Sequence, residues 1–191
     1  MSRKIFVALI FILAAFVGGN LVTKNICSAS MPYSEMSLGG ITYESTYSDL
    51  IRTYGRPTYQ NPGVEHEAEC HYGNDVKIFY NSFQNKINTV IVTANNGWAT
   101  PRGLTVGMNI STALDLYGSP EYSKSGAFKT AYCYFHKTFD RQNNRTIIDS
   151  GFLIVFNKSS GKILELSIRG SNSMVGFDEV YQDIIGYMVN E

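Results

Sequence analysis

The chain has 191 residues, 44% of them hydrophobic and 17% charged, which is long enough for a sizeable core and describes an ordinary globular chain, not a disordered one. Basic and acidic residues number 16 each, with no basic stripe, which argues against nucleic acid as a partner. Thirteen Tyr and eleven Phe favour β-rich structure, where aromatic rings suit a pleated, half-buried surface.

In chain order, Arg3-Lys4 precedes an unbroken apolar run from Ile5 to Val17. A comfortable membrane span needs about 20 apolar residues, so the run reads as the apolar region of a secretory signal, with an uncleaved anchor as the alternative. Small residues at Cys27-Ser28-Ala29 or Val17-Gly18-Gly19 offer cleavage sites. Residues 1–29 are thus expected to direct export to the periplasm, the cell envelope or the medium. Cleavage after Ala29 leaves 13 basic and 16 acidic residues and a net charge of −3. It also leaves Cys70 and Cys133, a pair that export makes available for a disulfide. Two buried free thiols are the other reading of that pair.

Residues 30–40 read as a flexible linker. Beyond it the sequence repeats. Thr46-Tyr-Ser-Asp-Leu-Ile-Arg-Thr-Tyr54-Gly55-Arg-Pro57-Thr-Tyr59 and Asn109-Ile-Ser-Thr-Ala-Leu-Asp-Leu-Tyr117-Gly118-Ser-Pro120-Glu-Tyr122 share one phase, 63 residues apart. The same shift places Cys70 on Cys133. After an insertion at about 136–148, a shift of 76 places Val76–Asn81 on Phe152–Asn157.

Each repeat opens with a short amphipathic helix. Tyr47, Leu50, Ile51 and Tyr54 fall at i, i+3, i+4 and i+7, as do Ile110, Ala113, Leu114 and Tyr117. Thr46 and Asn109 are N-caps, and Asp49 can reach back to the backbone of the first cap. Gly55 and Gly118 end the helices, and Pro57 and Pro120 prevent continuation.

Three antiparallel strands are expected to follow in each copy: Glu65–Tyr72, Val76–Asn81 and Lys86–Ala94, then about Ala127–His136, Ile147–Asn157 and Lys162–Arg169. The polar stretch Asp140–Arg145 is expected to form a long hairpin tip. Alternation puts Ala68, Cys70 and Tyr72, with Ala131, Cys133 and Phe135, beneath the helices. It sends His71, Tyr132, Tyr134 and His136 to the opposite, open face. Residues 95–103 join the copies. Phe177, Val180, Tyr181, Ile184, Tyr187 and Met188 recur at helical spacing, predicting a C-terminal helix within 173–191. The fold class is therefore α+β: tandem modules at 41–100 and 101–172, each a short helix on a three- to four-stranded antiparallel sheet, plus a terminal helix.

The stretch Gly103-Leu-Thr-Val-Gly-Met-Asn-Ile-Ser-Thr-Ala-Leu-Asp-Leu-Tyr-Gly-Ser-Pro120 resembles the opening of the SmpA/OmlA outer-membrane lipoprotein module and of the β-lactamase-inhibitor proteins. The resemblance covers about 36–172. It implies a helical layer against an antiparallel sheet whose open face binds other proteins. The first copy departs from it, with Tyr43-Glu44 where the second has Val106-Gly107. This chain also has one cysteine per module where the inhibitors have a disulfide within each, and no residue role is carried over.

Chemistry-bearing motifs are few. Glu65-His66-Glu67-Ala68-Glu69-Cys70-His71 holds metal-ligand residue types, but on a strand His66 and His71 leave opposite faces. A helical zinc motif needs two His at i and i+4. Cys70 and His71 are adjacent and diverge, so they form no nucleophile pair. No nucleophile elbow, phosphate loop or dinucleotide fingerprint occurs. A non-catalytic protein without cofactor or metal is expected, binding another envelope or secreted protein through Tyr132, Tyr134, His136, His71 and Phe79. The rival is a small-ligand or metal-binding envelope protein using Glu67, Glu69, His71 and His136.

Overall fold

The computed structural model describes residues 30–64, 67–170 and Val189. The expected signal segment 1–29 and the expected C-terminal helix lie outside the described residues, Val189 apart.

The first ordered piece corrects an expectation. Residues 30–40 are no flexible linker: Met36 and Leu38 are fully buried, and the Met31 amide donates to the Phe135 carbonyl at 2.8 Å. After a 3-10 turn at Tyr33–Glu35, strand β1 (Ser37–Leu38) pairs antiparallel with β2 (Ile41–Thr42) across Gly39-Gly40. Gly39 has φ +58°, and a Cβ there would sit 2.4 Å from Tyr54 Oη and 2.8 Å from the Trp98 ring. Only glycine fits this turn, because it meets both the left-handed backbone and the close approach.

Helix α1 (Tyr47–Tyr54) begins with the reciprocal cap that its sequence encodes. Asp49 N–H donates to Thr46 Oγ1 at 3.0 Å, and Thr46 N–H donates to Asp49 Oδ2 at 3.1 Å. Helix α2 (Ile110–Tyr117) is capped more simply, Asn109 accepting from Ser111 N–H at 3.0 Å. Both end at left-handed glycines, Gly55 (φ 77°) and Gly118 (φ 74°), whose amides close the last turns. Eight residues are too few for a stable isolated helix, so packing on the sheet must hold each in place.

The sheet has eight strands: β3 (Tyr59–Val64), β4 (Glu67–Tyr72), β5 (Val76–Asn81), β6 (Lys86–Val92), β7 (Tyr122–Ser125), β8 (Lys129–Asp140), β9 (Arg145–Asn157) and β10 (Ile163–Gly170). Their order is β3-β4-β5-β6-β10-β9-β8-β7, antiparallel at every pairing. Each helix therefore precedes four consecutive strands, and the two sets join edge to edge through β6 and β10. We call residues 47–92 and 110–170 the first and second halves. At the seam Ile91 faces Ser167, Val90 faces Ile168 and Val92 faces Leu166. Residues 76 apart thus exchange places about the Ile91–Ser167 pair.

The edge strands β3 and β7 lie outside the six strand ranges read from the sequence and bring each half to four strands, the upper end of the three to four expected. Pro62-Gly63 breaks the alternation of β3, whose pairing with β4 shifts between Asn61 and Val64, and β7 is only four residues long. The insertion behaves as expected. It extends β8 and β9 into an arm whose last pair, Asp140 with Arg145, flanks the polar tip.

The core lies between the helices and one sheet face, here the inner face. Ala68, Cys70, Ile78, Val90, Val92, Phe152, Ile154, Leu166 and Ile168 fill it with Leu50 and Ala113 from the helices. Trp98, from the connecting loop, stacks on Tyr54 at 4.2 Å. Among the described residues no helix is long and apolar enough to cross a membrane.

Candidate functional site

The face opposite the helices, the outer face, carries one row that crosses all eight strands. Its residues are Tyr59, His71, Lys77, Ile91, Ser167, Leu153, Cys133 and Tyr122, each the register partner of the next. In the first half this face is polar and aromatic and reaches solvent. Glu67 and Lys77 are exposed, while Glu69, His71, Phe79, Thr89 and Ile91 are partly exposed. Tyr59, on the edge strand, is 49% exposed and lies 4.9 Å from the His71 ring. His71 Nε2 and Glu69 Oε1 are 2.5 Å apart, the spacing of i and i+2 side chains on one face of a strand. Thr58, Tyr59, Glu69, His71, Gly73 and Asn74 line a shallow, open depression at this edge.

The sequence-derived binding set does not assemble. His71 and Phe79 lie on the outer face, but Tyr132, Tyr134 and His136 turn the other way. Tyr134 is 3% exposed within the inner core, and its hydroxyl donates to the Gly118 carbonyl at 2.9 Å. Tyr132 packs at the rim of the same core, edge-on to Phe156 at 4.8 Å. His136 Nδ1 donates to the Met31 carbonyl at 2.8 Å. Tyr134, fully occupied in the core, is no docking residue, and Tyr132 and His136 belong to the helix-covered side.

The reason is a slip of one residue. The shift of 63 holds through Tyr59 and Tyr122 but falls to 62 on the next strand, because Tyr59 pairs with His71, twelve residues on, past the irregularity between Asn61 and Val64, whereas Tyr122 pairs with Cys133, eleven residues on. Tyr72 corresponds to Tyr134, and its hydroxyl donates to the Gly55 carbonyl at 2.8 Å as Tyr134 does to Gly118. Cys70 therefore corresponds to Tyr132, and Cys133 to His71. A slip by one exchanges every inward and outward side chain.

The same slip removes the disulfide. Cys70 is buried on the inner face and Cys133 on the outer face, and both are free thiols. Five strand spacings of about 4.8 Å separate β4 from β8, against the roughly 7 Å a disulfide allows between α-carbons. Burial pushes both thiols up to about 12, so neither is a ready nucleophile. The rival metal set is divided too, since His136 lies on the far side of the sheet from Glu69 and His71. Among the described residues no group of three or more His, Cys, Asp or Glu is placed to hold a metal.

In the second half the centre of the outer face is apolar. Ala131, Cys133, Phe135, Leu153 and Val155 form a buried cluster together with Val189. At its border Glu165 has a buried Oε1 without a hydrogen-bond partner, and burial raises its carboxyl above the usual range against the smaller pull of Arg169.

No family model matches the chain, and no curated protein matches it. Among solved structures it is similar to an extracellular protein containing an SCP domain from Bacillus anthracis str. Ames, at 13% identity and TM-score 0.46, over 75% of this chain and 47% of that one. It is also similar to a cysteine-rich secretory protein from Staphylococcus aureus subsp. aureus Mu50, at 15% identity and TM-score 0.47, over 75% of this chain and 49% of that one. The chain spans about half the length of these proteins. At such scores the likeness carries no argument about activity or partners.

Proposed function

We propose that this is an exported, non-catalytic protein that binds another envelope or secreted protein through the outer face of its first half. In this reading the two halves are tandem copies of one helix-plus-sheet module, akin to the SmpA/OmlA and inhibitor modules. The first copy keeps its outer face for a partner. The observation that carries the proposal is the surface made by Tyr59, His71, Phe79 and Ile91, interleaved with Glu67, Glu69 and Lys77 and reaching solvent. Aromatic bodies with polar tips, set among charges, are what protein interfaces use as anchors. Export is supported by the basic start and apolar run of residues 3–17.

The test is a pull-down from envelope extract with the full chain carrying Tyr59→Ser and Phe79→Ser together. Loss of the partners retained by the parent chain supports the reading. An unchanged partner set, with the variant folded, removes it.

A second reading rests on the depression beside His71, which offers an imidazole, a carboxylate and a phenol to a small polar ligand. Calorimetric titration with zinc or with small carboxylates tests it. Stoichiometric binding that is lost in His71→Ala would favour this reading over the first.

A further inference from the structure

We propose that the outer face of the second half is a docking surface for the chain's own C-terminal segment, residues 171–188. The inference holds whether or not the first half binds a partner.

Four observations carry it. First, the apolar cluster of Ala131, Cys133, Phe135, Leu153 and Val155 is buried although it lies on the side away from both helices, and Val189 is packed into it at 3% exposure. Second, the chain leaves the sheet at Gly170, the end of β10, and is back on β8 and β9 at Val189. Strand β8 lies two spacings of about 4.8 Å from β10, so the intervening residues have ample reach. Third, Phe177, Val180, Tyr181, Ile184 and Met188 share one face at helical spacing, matching an apolar surface with no other described cover. The segment from 171 onward carries Asp178, Glu179, Asp183 and Glu191 and no Lys or Arg. Lys124, Lys129 and Arg169 lie on the outer face of the strands it would cross, so the charges are complementary.

The fourth observation is a close backbone approach. A Cβ added to Gly126, in the β7–β8 turn, would sit 2.0 Å from the Val189 carbonyl oxygen. Gly126 does not have a left-handed φ, so alanine would suit its own backbone and offend only the returning chain. Contact with Val189 is thus the constraint that holds glycine at this position.

The two thiols supply the test within the full chain. Cys133 lies under the proposed cover and Cys70 lies under α1, so the second reports on the core while the first reports on the docked segment. Native-state labelling with a maleimide, read peptide by peptide by mass spectrometry, is expected to find both protected in the parent chain. In Ile184→Asp, Cys133 should label about tenfold faster or more, with Cys70 unchanged, because a charge placed in an apolar contact favours local opening. Gly126→Ala should act in the same direction more weakly, without altering the segment itself.

Cys133 protection unchanged in both variants would overturn the proposal, since some other element would then cover the face. Parallel labelling of both thiols in both variants would also overturn it, because the cover would be part of the core and not a docked segment. Protection of Cys133 in the parent chain that disappears on dilution would assign the surface to a second copy of the chain instead.

Discussion

The two halves of the sheet agree on one face and part company on the other. On the inner face Tyr72 and Tyr134 make the same hydroxyl bond to a helix-ending glycine, and Ile78 and Ile154 hold matching register positions. On the outer face His71 matches Cys133, Lys77 matches Leu153 and Glu69 matches Ala131. A shared inner face is what packing a helix on a sheet requires of both. The outer faces share no such packing requirement, and their side chains differ accordingly. One reaches solvent with charges and aromatic rings. The other is apolar and buried at its centre.

The comparison can be broken first in the core. Leu50 is fully buried where the second helix has Ala113, so the first half relies on a large side chain that the second lacks. Leu50→Ala should cost about 2 to 5 kcal/mol in chemical denaturation. A smaller loss would mean that α1 contributes little to the shared core.

The tyrosine bonds sharpen the equivalence. Tyr134→Phe should cost about 1 kcal/mol, because it strips a buried hydroxyl from its carbonyl. Tyr72→Phe should cost less, since Tyr72 is only partly buried and water can replace the lost partner. Equal costs would argue against the difference in burial.

At the border between the two outer faces, Glu165 has its carboxyl raised, chiefly by burial. A raised carboxyl binds its proton more tightly folded than unfolded. The associated stability is therefore fully present below the unfolded value and lost as pH rises through the folded one. Glu165→Gln should stabilise the protein at pH 7 by about 1 kcal/mol, and the gain should shrink towards pH 4. Thermal melts at the two pH values check the sign.

The smallest effect concerns the thiols. With Cys70 and Cys133 on opposite faces, a reductant should leave the melting temperature unchanged. A drop on reduction would contradict the placement of β4 and β8.

Much of this frame was legible in the sequence. Both helices, their caps and stops, six of the strands and the extended arm followed from spacing and turn residues. Neither the edge strands nor the N-terminal hairpin did. Pro62-Gly63 disguises β3, and Gly39-Gly40 reads as flexible until Tyr54 and Trp98 are seen to pack against it.

The second half's faces are not legible from the repeat, because its spacing drops from 63 to 62 between β7 and β8, where β3 carries an irregularity between Asn61 and Val64. A local signal was available. Phe152-Leu-Ile-Val-Phe156 is apolar without alternation, the mark of a strand buried on both faces, whereas the matching Val76-Lys-Ile-Phe-Tyr80 alternates in part. That contrast already says that the second half has no open polar face, and that Tyr132 and Tyr134 cannot belong to one.

The most direct test of the account places a photo-reactive phenylalanine analogue at Phe79, on the first half's outer face, and separately at Leu114, exposed on α2. After irradiation in the native envelope, the Phe79 position should give a discrete protein adduct that Tyr59→Ser weakens, and the Leu114 position should not. An adduct from Leu114 with none from Phe79 would contradict the account and move the binding surface to the helical side.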